Sequence, residues 1–248
     1  MKESELDRFV FHLPTLLQER ASHTRATKRV RTRRLLLAAT AAEMERVEYG
    51  RLTIDGIVRR AGVARGTFYL HFRDRSDAAL AVRRAFTALM RRNRPRFQRR
   101  LSPYRTIWEV NRFYVACYAR NAPILAGHEA LMRDRPELAR SRDSVNHRWA
   151  RIILRDICQR LSISLELVKD ARALFAIRAV IAMADEVLRE TYIYASPNIS
   201  RLNLKHDSVS DILSILWYRS LYGQHPSEAP NILPVANAET QTQSAGRE

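Results

Sequence analysis

Cysteine is nearly missing from this chain of 248 residues: Cys117 and Cys158 are the whole complement. Both lie inside apolar helical patterns with no partner at close spacing, so neither a disulfide framework nor a zinc site can be built from them. Buried free thiols are the expectation, with redox sensing as the other use of such residues. Lysine is also scarce, limited to Lys2, Lys28, Lys169 and Lys205, so arginine carries the positive charge. No apolar run approaches the roughly 20 residues of a membrane span, and the acidic N-terminus is unlike a signal peptide. Catalytic spacing is lacking too. His128, Glu129, His147, Asp156, Asp185, Glu186 and Glu190 form no H-E-x-x-H, no E-x-x-H pair and no nucleophile elbow. Asp185, Glu186 and Glu190 share a helical stretch with Arg178 and Arg189, so ion-paired or solvated faces account for them. No catalytic residue, metal ligand or cofactor is expected.

Arginine is in excess, and its placement says more than its amount. The formal charge is +17. The segment from Arg20 to Arg105 holds 23 of the 43 basic and 6 of the 26 acidic residues, which leaves the rest of the chain neutral. A coding bias toward arginine explains the shortage of lysine but not this confinement. Positive charge gathered in one third of a chain is the electrostatic footprint of a phosphate-binding surface. At 46% hydrophobic, the chain can also bury the core of one large or two modest domains.

Inside the basic segment, Thr53 to Phe72 reads T-I-D-G-I-V-R-R-A-G-V-A-R-G-T-F-Y-L-H-F. Ile54, Ile57, Val58 and Ala61 recur at the three- and four-residue spacing of a short helix's buried face. Gly62 follows where a helix end favours a residue that takes positive φ. A second helix then begins near Ala64, with Phe68 and Phe72 on one face and Arg65, Thr67, Tyr69 and His71 largely elsewhere. Two short helices about a glycine turn make a helix-turn-helix, and Ala64 and Gly66 let the second helix approach another surface closely.

Thr53, Ala61, Gly62, Val63, Gly66, Thr67, Tyr69, His71, Phe72 and Arg75 occupy the positions of the signature of TetR-family transcriptional regulators, which this segment closely resembles. The resemblance covers only the DNA-binding part. Two positions depart from it. Ala64 stands where the family usually has a Ser or Thr helix cap, a loss of about 0.5–2 kcal/mol unless another group substitutes. Arg75 replaces the usual Lys and turns a point donor into a fork.

A two-helix reader needs phosphate anchors at both ends and a few side chains at base edges. Thr53, Thr67, Tyr69 and His71 are candidate donors to phosphate, and Arg75 can clamp one more. Gly66 lets the backbone sit against the duplex. Arg65 is the candidate for base readout, its fork matching O6 and N7 of guanine, and Leu70 can touch a thymine methyl. Each hydroxyl has the plainer reading of a cap or solvated group. One such reader binds weakly. Two, roughly 34–36 Å apart on double-stranded DNA, require a palindromic operator.

The expected architecture is all-α, with a three-helix DNA-binding domain and a larger helical domain for ligand binding and dimerisation. Residues 1–26 read as a partly disordered N-terminal extension, in which Leu6, Phe9, Val10, Leu13, Leu16 and Leu17 suit a short helix broken at Pro14. Arg25 to Arg34 reads as a basic arm for the minor groove or a solubilising tail, leading into a helix over 35–47. The DNA-binding domain spans 27–75 and the helical domain 76–224, ahead of a disordered tail over 225–248. A long helix opens near Asp74 or Ser76, with Arg83, Arg84, Arg91 and Arg92 expected on its outside. Breaks are expected at 121–123, 135–136, 162–164 and 196–198.

The resemblance implies a cytoplasmic, nucleoid-associated homodimer without membrane contact, most readily a repressor released by a small lipophilic effector. An activator, a nucleoid-style binder, or a helical ligand or signalling module without specific DNA recognition are the alternatives. Trp108, Asn111, Tyr114, Tyr118, Trp149 and Met183 are candidates for an effector pocket, though aromatic and Met content is more often plain core. Ile212, Ile215, Leu216 and Trp217 are candidates for the dimer interface, with the helix over 174–192 as companion.

Overall fold

In the computed structural model the residues described are 10–22, 25–95, 100–135 and 139–232. They contain eleven α-helices and no strand. Helix α1 (Leu13–Ser22) belongs to the N-terminal extension. Pro14 does not break it. It sits in the first turn, where its missing N–H has no helical partner to lose. Leu13, Leu17 and Ala21 are buried against α2 (Lys28–Arg46). The expected positions Leu6 and Phe9 lie outside the described residues, as does 233–248 of the expected disordered tail. Much of the expected basic arm is helical: Lys28 to Arg34 form the first two turns of α2, and Arg and Lys are good helix formers even where no apolar residue marks the face.

The expected helix-turn-helix is formed by α3 (Ile54–Ala61) and α4 (Arg65–Tyr69). The connecting helix α5 (Arg75–Asn93) is capped by Asp74, whose carboxylate accepts from the Asp77 N–H at 2.8 Å. Six helices follow: α6 (Pro103–Arg120), α7 (Ala122–Asp134), α8 (Ala139–Leu161), α9 (Ala171–Leu188), α10 (Pro197–Arg201) and α11 (His206–Tyr222). A π-type turn, Arg189–Ile193, prolongs α9. Of the expected breaks, 162–164 follows α8, 121–123 and 196–198 straddle the starts of α7 and α10, and 135–136 begins at the end of α7, with 136 outside the described residues.

Two apolar clusters organise the molecule. One runs from Phe68 and Phe72 through Leu36, Met44, Val82 and Phe86 to Phe113, Cys117, Ile124 and Leu131. It therefore passes without interruption across the expected domain boundary at 75/76. The other joins α6, α8, α9 and α11 through Val115, Ile153, Ile157, Ile177, Ile181, Leu213 and Trp217. Cys117 and Cys158 are free and buried, and burial pushes the Cys117 thiol up to about 12.

The N-terminal extension is clasped to the middle of the chain. Buried Asn121, at the α6–α7 corner, accepts the Leu13 N–H at 2.8 Å. Its amide nitrogen donates to the carbonyls of Phe11 and Cys117, both at 2.9 Å. A buried amide with every bond made is rigid, whereas an unsatisfied one costs about 1–3 kcal/mol.

Candidate nucleic-acid interface

Helix α3 starts and stops on side-chain and backbone chemistry visible in the motif. The Thr53 hydroxyl oxygen accepts the Gly56 N–H at 3.1 Å. Gly62 takes φ +66°, and the Val63 N–H closes on the Val58 carbonyl at 3.1 Å, a Schellman-type stop. Ile57 and Val58 are buried. A carboxylate locks the helix onto α2: Glu43, only 5% exposed, accepts from Arg60 Nε at 2.7 Å and from Arg46 at 3.0 Å. Burial works to raise the Glu43 pKa, but the hydrogen bonds from Arg60 and Arg46 outweigh it and hold the group below its usual range. Gly56 permits this approach, since a Cβ there would lie 3.2 Å from Glu43 Oε2.

Helix α4 divides its side chains as the motif implies. Phe68 and Phe72 are buried with ring centroids 5.6 Å apart, while Tyr69 and Leu70 are 50% and 73% exposed. Ala64 gives α4 no side-chain cap. Around Gly66 there is open space. Arg65 is exposed and pairs with Asp55 on α3. Thr67 and His71 are half-buried. Burial, then the positive charges of Arg29 and Arg33, lower the His71 pKa. Those two arginines, on the first turns of α2, thus adjoin the end of α4, and Arg33 also lies 4.9 Å over the Phe72 ring. The sequence shows them only as part of a general basic run, with nothing to place them beside α4.

Thr53 and Arg75 have structural work here. The Thr53 hydroxyl accepts a bond as a cap yet keeps its own proton to donate. Arg75, expected as a phosphate clamp, donates through Nη1 to the carbonyls of Gly50 at 3.0 Å and Leu52 at 2.8 Å, and lies 5.6 Å from the Tyr49 ring centroid. It fixes the loop before α3 to the start of α5.

Residues 36–82 match the family model for bacterial regulatory proteins of the tetR family. The chain carries a TetR-family DNA-binding head. The molecule is a DNA-binding transcriptional regulator. No curated protein matches it.

Behind the TetR-family head, α5 to α9 and α11 enclose a cavity of about 280 Å³. Asn111, Tyr114, Tyr118 and Trp149 are among the residues that line it. Burial raises both tyrosine pKa values, that of Tyr114 to about 12, so each phenol remains a neutral donor. Trp108 and Met183 do not reach the cavity. The Trp108 indole donates to Asp211 at 2.6 Å and lies beneath Arg105 and Arg112, while Met183 packs on the second apolar cluster. Arg83, expected on the outside of α5, instead lines the cavity half-buried. His128 lines it too, is 2% exposed, and has a pKa lowered to about 3 by burial and then by Arg83.

The expected dimer residues divide. Ile215 and Trp217 are buried inside the protomer, 0% and 8% exposed, because α11 packs mainly along α6 rather than α9. Ile212 and Leu216 remain half-buried. The more open apolar stripe is on α9, where Phe175 is 75% exposed and Ala176, Ala179 and Ala182 follow at helical spacing.

Proposed function

We propose that this regulator is a homodimeric repressor that holds a palindromic operator and is released when a small, largely apolar effector fills the cavity. The observation that carries the reading is the shared wall: α5 bears the DNA-binding head at its N-terminal end, and Phe86, Thr87 and Met90 on the same helix line the cavity. A ligand shifts the DNA-competent population only if it prefers one arrangement of the heads, and a site on α5 supplies that differential contact. Thr53, Thr67, Tyr69 and His71 anchor phosphates, Gly66 permits the approach, Arg65 reads a guanine and Leu70 a thymine methyl. Dimerisation falls to the α9 stripe, with Ile212 and Leu216 of α11 beside it. No catalytic role is assigned, and the protein acts in the cytoplasm on the nucleoid.

A gel shift against the DNA upstream of its own gene, with excess non-specific DNA at two salt concentrations, tests operator recognition. Selective binding persisting at physiological salt supports the reading. Weak binding to any duplex with a steep salt slope removes it. Native mass spectrometry for a co-purified ligand, followed by a DNA-release assay, tests the effector. A ligand seated in the cavity that leaves operator affinity unchanged rules out release.

A further inference from the structure

The polar groups of the cavity are unevenly satisfied. Three carboxylates on its wall are occupied: Glu129 pairs with Arg142 at 2.7 Å, Asp156 with Arg160 at 2.8 Å, and Asp185 accepts from Asn146 at 3.3 Å. Burial also raises the Asp185 pKa, which lessens its negative charge. Arg83 is different. It is half-buried in the wall, and among the described residues no carboxylate pairs with it and no group accepts a bond from its guanidinium. Beside it, buried His128 has an Nε2 with no hydrogen-bond partner. A cation and an unpartnered ring nitrogen, both desolvated and adjacent, are a costly pair unless an acceptor arrives to bond both.

The rest of the cavity is long and apolar. From Arg83 to Arg94, α5 runs about 16 Å beside it. Phe86, Met90, Ile107, Val110 and Ile153 supply its sides. Arg94, near the far end, already stacks on Trp149 at 3.8 Å.

Resting on the effector reading above, we infer that the cavity takes a slender apolar molecule with a single carboxylate head, held by the Arg83 guanidinium and by the His128 ring donating from Nε2. A carboxylate matches the fork of arginine bidentately and accepts from a neutral imidazole in the tautomer protonated at Nε2. The position of the head explains how it is felt at the DNA. Arg83 is on α5, and His128 follows Gly127 on α7, where a Cβ would lie 3.0 Å from the end of Met44 and 3.9 Å from Tyr49 in the DNA-binding head. One anion therefore draws together the two helices on which that head is seated.

The test uses the full chain with octanoate, decanoate and dodecanoate, each against the alcohol and the amine of equal length, below their micellar concentrations. Binding is followed by calorimetry and by the emission of the cavity residues Trp149 and Trp217. The acids are expected to bind roughly tenfold or more tighter than the alcohols, with the amines weakest. Arg83→Gln is expected to erase the preference for acid over alcohol, and Arg83→Lys to restore part of it. Circular dichroism and melting show whether each variant is folded, and His128→Phe, expected to weaken the acids several-fold, gives an independent arm. Equal binding of acid and alcohol, tighter binding of the amine, an undiminished acid preference in folded Arg83→Gln, or no binding of any acid overturns the inference. If the acids bind as expected but leave the operator complex intact, the inference stands and the release mechanism proposed above falls.

Discussion

In the proposed roles of Gly66 and His128, a single residue serves function at the expense of stability. Nothing lies within 4 Å of a Cβ built on Gly66, and its φ is not positive. Gly66→Ala is therefore expected to raise stability by about 0.5–1 kcal/mol, through helix propensity and a less disordered unfolded chain. If α4 meets the duplex at Gly66 as proposed, the same methyl stands between them and DNA affinity should fall; melting and fluorescence anisotropy must then move in opposite directions. His128 acts through protons. Its ring is neutral in the fold, with a pKa lowered from 6.5 to about 3, so between those values acid protonates the unfolded chain and not the native one. The burial of this neutral ring carries no proton-linked penalty above pH 6.5, and stability is lost as pH falls from there toward 3, at a slope approaching roughly 1.4 kcal/mol per pH unit. Denaturant titrations of ligand-free protein should show this slope and His128→Phe should lack it; equal slopes in the two proteins would place the acid sensitivity elsewhere. The sequence did not reveal His128 in this role, since burial is what makes it a poor base and an eager donor.

At the scale of elements, legibility followed the range of the interactions. The helix-turn-helix was readable because its causes are local: the period of Ile57 and Val58, the φ of Gly62, and the phase that buries Phe68 and exposes Tyr69. Helix α5 was harder because it is buried on two sides, by the DNA-binding head and by the cavity wall, and a one-stripe reading placed Arg83 in solvent. In α11 the run Ile212, Leu213, Ile215, Leu216 and Trp217 is apolar nearly all round, so phase alone could not choose between an inner and an outer face. Packing against α6 decided it. The α9 stripe yields a prediction that separates the two assignments of the dimer contact. Ala179→Arg, on exposed helix surface, should leave the protomer's melting nearly unchanged yet convert a dimer to monomer in sedimentation equilibrium and abolish operator binding. A dimer that survives Ala179→Arg would remove α9 from the interface.

Across the whole molecule, one apolar cluster spans the division expected at 75/76. The cluster containing Phe68 and Phe72 includes Phe113, Ile124 and Leu131 from α6 and α7. A fragment ending at residue 95 would expose the Met44, Tyr49 and Phe86 surfaces that α7 covers, so it is expected to be loosely packed and poor at binding DNA even with every reading residue present. Amide exchange on the isolated fragment checks this: protection equal to that of the full chain would show an autonomous head. The Asn121 clasp carries the same point into the order of synthesis. Its bond to Leu13 joins positions 108 residues apart. At about 5–20 residues per second, a ribosome delivers Asn121 roughly 5–20 s after the helix it will hold. For that interval the first helix has only α2 to pack on and the surfaces that α7 covers stand open, so a nascent chain is expected to bind DNA tightly only after its middle has emerged.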